Sequence, residues 1–137
     1  MKALSVVQPY PSWIAAGIKT IETRTWKTDF RGRILICASM TKQIIPSPFW
    51  QTVLQGHEFP KGVALCTAEI LDCRPMTTLD QGLACCEIYE GAFSWVLGNV
   101  RRVNQFHVKG ALGLFNVDWE EGDLMADLLP PQLSLFK

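Results

Sequence analysis

Short apolar runs alternate with polar and glycine-containing stretches along this chain. Enrichment in β-branched residues and side-chain alternation predict strands at 3–7, 20–26, 33–39, 62–73, 92–103 and 108–117. The segment 34–38 is continuously apolar, as expected for a strand buried on both faces. Because helices do not alternate regularly with these strands, we predict a mixed α/β (α+β) fold, a partly closed β-barrel of roughly five or six strands with short peripheral helices.

Prolines, glycines and capping residues mark the ends of the helices. They predict short helices at 8–16 and 49–55, closed by Gly17 and Gly56, and a cap for a further short helix at 77–80. A further helix is predicted at 118–129, since its acidic start suits the positive end of a helix dipole. The double proline that follows stops regular structure, which predicts one domain at 1–129 and a C-terminal tail at 130–137.

The composition is that of a soluble globular protein. Among 137 residues, 48% are apolar and 19% charged, which argues against disorder, and no apolar run approaches the ~18 residues of a membrane span. No signal-peptide core follows the N-terminus, so we expect a cytoplasmic protein. The five cysteines form no C-x-x-C pair and no zinc-cage spacing, so we predict no metal site and no cofactor.

The charges are unevenly distributed although they sum to zero. Residues 1–117 hold twelve Lys and Arg against eight Asp and Glu, whereas 118–137 hold five acidic residues and Lys137 alone. Because fields in salt solution are screened within roughly 8–10 Å, the body of the protein can present a basic surface. The alternative is that the acidic segment pairs with that body.

One predicted strand carries an unusual set of polar side chains. Successive side chains of a strand alternate between faces. One face therefore holds Thr20, Glu22, Arg24 and Trp26. The other holds Ile21, Thr23 and Thr25. A carboxylate, a guanidinium and an indole on one face indicate a groove with chemistry rather than a plain core strand.

Three blocks near the N-terminus follow one another in a specific order: LSVVQP at 4–9, GIKTIETRTW at 17–26 and RGRILICAS at 31–39. This order resembles the N-terminal block of the ASCH domain, a branch of the PUA-like superfamily. Tyr10 stands where tryptophan is usual in that family, and Cys37 where histidine is common. Later stretches are also similar, so the resemblance spans roughly residues 3–117 and implies a PUA-like β-barrel.

The resemblance also implies a cleft beside the first helix, with RNA, another single-stranded nucleic acid or a nucleotide as its ligand. We assign ligand contacts to Gln8, Tyr10, Lys19, Glu22, Arg24, Trp26, Arg31 and Ser39. Cationic side chains suit phosphate, and an aromatic face suits an unstacked base. The alternative is an ion-paired network that joins barrel to helix, with the tryptophans in the core.

A catalytic role for the cleft is a second hypothesis, with Lys19, Glu22 and Glu69 as candidate residues. One branch of the family hydrolyses acetylated cytidine with a lysine, a threonine nucleophile and a glutamate. Lys19 matches that lysine, but the nucleophile position falls on Glu22 here, so this activity is in doubt. Glu22 and Glu69 together could hold a hard cation, as in metal-dependent ribonucleases, although ion pairs are the commoner outcome.

The tail carries a separate signal. Its residues 132–136 read QLSLF, which resembles the pentapeptide by which bacterial replication proteins dock on the polymerase sliding clamp. Gln132, Leu133, Leu135 and Phe136 would provide the contacts, since an extended peptide can offer apolar anchors to a hydrophobic pocket. This hypothesis places the protein in a bacterium or phage. The alternative is that these residues fold back on the barrel.

Overall fold

Strands and helices follow one another in the predicted order, with shifted ends. The structure, a computed structural model, describes residues 1–123. Its elements are β1 (Lys2–Val6), α1 (Tyr10–Ala15), β2 (Ile21–Arg24), β3 (Gly32–Ala38), α2 (Trp50–Leu54), β4 (Ala64–Pro75), a 3-10 turn (Thr78–Asp80), α3 (Gln81–Ala84), β5 (Phe93–Arg102), β6 (Leu114–Asn116) and a second 3-10 turn (Glu121–Asp123).

The six strands form one sheet in the order β2-β5-β4-β3-β1-β6. β1 runs parallel to β3, with Ala3 opposite Leu35, and the other neighbours are antiparallel. Two register shifts lie where β4 pairs with β5, and such irregularities increase the local twist of a sheet. The sheet curls into a half-barrel, which confirms the predicted mixed α/β fold and partly closed barrel.

The core lies between the curled sheet and α1. The residues at 34–38 are buried throughout, as their apolar run predicted. Ile14 of α1 and Trp95 of β5 pack into the same cluster. Trp13 lies in a second cluster with Leu54 and Phe59, so both buried indoles are structural. Cys37 is also buried, and burial raises the pKa of its thiol to about 12.

A buried carboxylate joins β4, α3 and β5. Asp80 accepts hydrogen bonds from Arg74 Nη1 at 2.6 Å, from Ser94 Oγ at 2.9 Å and from the Thr77 backbone N–H at 3.1 Å. Thr77 and Asp80 form a capping box, which agrees with the predicted cap. The Arg74 guanidinium and these other donors hold the pKa of the Asp80 carboxyl well below its usual range. This junction sets the position of α3 beside β2.

Two predictions near the C-terminus need correction. The predicted strand 108–117 is a strand only at Leu114–Asn116, and 108–113 is a loop. Gly113 adopts φ +66°, and a Cβ on Gly110 would lie 2.8 Å from Ser5 Oγ, so the loop turns and packs closely on β1. Of the predicted helix 118–129, the described part contains only the 3-10 turn Glu121–Asp123. The predicted domain boundary at 129 lies outside the described residues and stays a prediction.

Residues 1–123 contain no helix that is long and apolar enough to cross a membrane.

Candidate functional site

A cleft of about 1030 Å³ opens at the start of α1. Its walls come from segments far apart in the chain: the end of β1, β2 and the residues after it, the segment after β3, the residues after α3, and the loop 108–113. Of the predicted ligand-contacting residues, the cleft brings together Tyr10, Lys19, Glu22, Arg24, Trp26 and Ser39.

The floor of the cleft is an ion-paired triad of Lys19, Glu22 and Arg24. Glu22 Oε1 lies 3.5 Å from Lys19 Nζ, and Glu22 Oε2 lies 3.0 Å from Arg24 Nη2. Glu22 and Arg24 are two residues apart in β2, so strand alternation puts both on one face. A single carboxylate therefore holds two cations.

Lys19 is the buried member of this triad, with only 1% of its surface exposed. Its Nζ also donates to the Ala84 carbonyl at the end of α3, and it lies 4.6 Å from the centre of the Tyr10 ring. A buried ammonium needs such partners because desolvation of an unpaired charge is costly. Glu22, the Ala84 carbonyl and the Tyr10 ring provide these partners for Lys19.

Arg24 is the accessible member, with a quarter of its side chain exposed. Its Nη2 donates to the Ser5 carbonyl at 3.0 Å and its Nε to Glu22 at 3.1 Å. These bonds fix the plane of the guanidinium inside the cleft. Among the described residues that line the cleft, Lys19, Arg24 and Lys109 are cationic and Glu22 is acidic, so the lining is net positive.

Aromatic side chains lie beside this charged floor. The Trp26 indole is exposed and meets the buried Trp95 ring edge-on, with 4.8 Å between ring centres and 89° between planes. Tyr89 is also exposed and lines the cleft. Burial, followed by the nearby Cys86 and Glu22, raises the pKa of Tyr10 to about 12, so its phenol remains a hydrogen-bond donor at neutral pH.

The cleft also contains residues that the sequence analysis missed or assigned to the other strand face. Thr23 and Thr25 line it together with Cys86, and Thr23 Oγ1 lies 3.7 Å from Cys86 Sγ. The cleft therefore takes residues from both predicted faces of 20–26, because β2 is an edge strand and its regular part ends at Arg24. No sequence pattern marked Cys86, Tyr89 or 108–113 as neighbours of β2.

Two predicted contact residues lie outside the cleft. Gln8 is completely buried and serves the backbone: its Nε2 donates to the Pro60 carbonyl at 2.7 Å, and its Oε1 accepts from the Ser12 N–H at 3.2 Å. Arg31 is exposed elsewhere, where its Nη1 donates to the Thr28 carbonyl at 2.9 Å.

The candidate carboxylate pair is not assembled either. Glu22 lines the cleft, whereas Glu69 lies on β4 opposite Arg33 and accepts a 3.4 Å hydrogen bond from Asn99 Nδ2. Within the described part of the chain, no group of three or more His, Cys, Asp or Glu side chains is arranged to hold a metal ion. Of the two candidate glutamates, Glu22 alone lines the cleft among the described residues.

The sequence was compared with known proteins. The family model of the ASCH domain matches residues 4–107. Activating signal cointegrator 1 of Homo sapiens is 35% identical over 83 residues, which cover 51% of this chain and 14% of that protein. The protein of the same name from Mus musculus is 32% identical over 83 residues, with the same coverage. The similarity thus concerns a small part of these longer relatives. The segment 132–136 lies outside the described residues and outside the matched region.

Proposed function

Because the chain belongs to the ASCH domain family, we propose that its cleft binds a nucleotide of a single-stranded nucleic acid, with RNA as the first candidate. The observation that supports this most directly is the placement of Arg24, whose guanidinium is fixed by Glu22 and Ser5 in the cleft that also holds the exposed Trp26 indole. A fixed cation beside an accessible aromatic face suits a phosphate and an unstacked base.

Arg24 provides the phosphate contact in this proposal. A guanidinium offers a planar fork of donors that matches phosphate oxygens, and little freedom is lost on binding when the fork is already oriented. Lys109, exposed on the loop 108–113 that lines the cleft, adds a second positive charge. Lys19 and Glu22 act as positioning residues that keep the guanidinium in place.

Trp26 and Tyr89 provide the base contact. Both are exposed, and both line the cleft. Stacking of a base on an aromatic side chain is worth about 1–3 kcal/mol and tolerates any base. The volume of about 1030 Å³ is ample for one nucleotide and part of its neighbour.

Fluorescence anisotropy with labelled single-stranded RNA and DNA of equal sequence tests this proposal. We expect Arg24→Ala to weaken binding about tenfold or more, since a charge-assisted hydrogen bond contributes about 1.5–3 kcal/mol. Arg31→Ala is the matched control, because Arg31 is exposed but outside the cleft. Absence of binding at low salt, or equal effects of the two variants, would overturn the proposal. The ratio of the affinities for RNA and DNA identifies the preferred backbone.

A hydrolase acting on modified nucleosides or RNA is the second candidate. The observation in its favour is the buried Lys19–Glu22 ion pair at the floor of the cleft, with the Thr23 hydroxyl nearby on the wall. An activity screen with and without Mg²⁺ or Mn²⁺ separates catalysis from binding. Turnover that Glu22→Gln abolishes would favour this candidate, and bound but unchanged oligonucleotide would exclude it for the substrates used.

The C-terminal pentapeptide supports a third, independent candidate, docking on a bacterial sliding clamp through Gln132, Leu133, Leu135 and Phe136. Only the sequence carries this proposal. A pull-down on a purified clamp, comparing the full chain with one ending at Pro131, tests it: equal capture of both chains, or of neither, would exclude the docking role.

A further inference from the structure

Large exposed hydrophobic side chains converge on the cleft. Trp26, Met40, Tyr89 and Leu112 are all exposed, and all four line it. Single exposed apolar residues are ordinary on protein surfaces, and Leu79, 91% exposed and remote from the cleft, is one. Four such side chains around one positively lined cleft form a cluster of exposed apolar surface. Surface of this kind marks an interaction site.

Leu112 is the extreme member of the four, with 99% of its surface exposed. The loop that carries it is held at both sides: Gly110 packs on Ser5 of β1, and Gly113 turns the chain with φ +66° into β6. The backbone therefore presents Leu112 at the mouth of the cleft although the described residues give it no packing role. Met40, 75% exposed, lines the cleft from the segment after β3.

The phosphate and base contacts of the proposed function do not need Leu112 or Met40, since Arg24 and Trp26 provide them. Leu112 and Met40 line the same cleft with most of their surface exposed, and the Met40 side chain passes close to Gly62. Apolar side chains such as Leu and Met can insert between the base steps of a nucleic acid and pack against the base faces that they unstack. Lys109, three residues before Leu112, supplies charge for a flanking phosphate.

We propose that Leu112 and Met40 form an apolar rim against the bases that flank the bound nucleotide, so that the preferred ligand is a nucleotide displaced from a helix, at a bulge or a mismatch. This inference rests on the proposed function and specifies its substrate class. Displacement is cheapest where the base is already unpaired, so bulged sites are favoured over fully paired ones. RNA and DNA hairpins with a bulge both present such an unpaired base.

Anisotropy titrations of fluorescein-labelled hairpins test the proposal. RNA and DNA hairpins are titrated with the full chain. Each hairpin is used in two forms, one with a single-nucleotide bulge and one fully paired. We expect the bulged hairpin to bind about tenfold more tightly than the paired one. Leu112→Ala should weaken the bulged complex about fivefold, since it removes apolar contact area. Met40→Ala should also weaken the bulged complex. Leu79→Ala should have no effect, because Leu79 is an exposed leucine that does not line the cleft.

Calorimetric titration with nucleoside monophosphates separates this proposal from the proposed function. Leu112→Ala should leave mononucleotide affinity within about twofold, whereas Arg24→Ala should weaken it about tenfold or more. Equal affinity for bulged and paired hairpins, or equal effects of Leu112→Ala and Leu79→Ala, would overturn the rim proposal while leaving the cleft function intact. Loss of all nucleotide binding in the unmodified chain would overturn both. Thermal melting of each variant confirms that it is folded.

Discussion

At the scale of single residues, Glu22 organises the cleft. Its two carboxylate oxygens hold the buried Lys19 on one side and the accessible Arg24 on the other. Lys19 in turn contacts the end of α3 through the Ala84 carbonyl. One side chain thus couples the stability of the floor to the orientation of the accessible cation in the cleft.

Replacing this carboxylate should destabilise the fold. Glu22→Gln leaves a buried ammonium without its countercharge, and loss of one partner of a buried ion pair costs about 3–5 kcal/mol. We expect a loss near the lower limit, about 3 kcal/mol, because the amide retains a hydrogen-bond acceptor. Urea denaturation measures it. Glu69→Gln, at a partly exposed position with one long hydrogen bond, is the control and should change stability by less than about 0.5 kcal/mol; equal losses would contradict this account of Glu22.

The Asp80 carboxyl predicts a dependence of stability on acid. Arg74 and the other donors lower its pKa in the folded state below the ordinary value of 3.8. This contribution is therefore present above the unfolded-state pKa and is lost as pH falls below about 4 toward the folded-state pKa. Denaturation midpoints measured between pH 7 and pH 2.5 should fall less steeply for Asp80→Asn. An unchanged slope would show that other carboxyls dominate.

At the scale of elements, two non-regular segments complete the cleft that β2 begins. The residues after α3 contribute Cys86 and Tyr89, and the loop 108–113 forms the wall that carries Lys109 and Leu112. The position of the residues after α3 depends on the capping box at Asp80. The position of the loop 108–113 depends on Gly110 and Gly113. The walls are therefore set by turn geometry rather than by strand pairing.

Gly113 and Gly82 give a matched test of this view. Gly113→Ala puts a side chain on a residue at φ +66°, which costs about 1 kcal/mol, and should disturb the wall that holds Leu112. Gly82 lies within α3 with nothing near its missing Cβ, so Gly82→Ala should stabilise the protein by up to about 1 kcal/mol. Thermal melting shows whether each substitution raises or lowers the stability of the protein. Two changes of stability in the same direction would refute the explanation based on backbone geometry.

At the scale of the whole molecule, charge is distributed so that a neutral chain has a positively lined cleft. Residues 1–117 carry an excess of basic residues, and among the described residues lining the cleft the cations outnumber the single carboxylate. Electrostatic attraction to phosphates releases condensed counterions and makes affinity fall with salt. If the cleft binds nucleic acid as proposed, the salt dependence of the affinity reports how many phosphates it contacts.

Lys109 should contribute to that dependence. For single-stranded ligands, the slope of log affinity against log salt is roughly −0.7 per neutralised phosphate. We expect Lys109→Gln to reduce the slope by about 0.7, and Lys61→Gln, exposed but outside the cleft, to leave it unchanged. Anisotropy titrations over a range of salt concentrations measure both slopes, and identical slopes for the two variants would remove Lys109 from the interface.

The features that depend only on neighbouring residues follow from the order of the amino acids. Side-chain alternation put Glu22 and Arg24 on one strand face, and continuous apolarity buried 34–38. Which segments meet depends on how the whole chain folds. The fold buried Lys19 against Ala84, 65 residues away, left Arg31 outside the cleft, and turned the predicted strand at 108–113 into a wall. The periodicity of side-chain directions follows from local backbone geometry. Which segments converge on the cleft depends instead on the pairing of distant strands and on turns, because the effect of each turn on position accumulates along the chain.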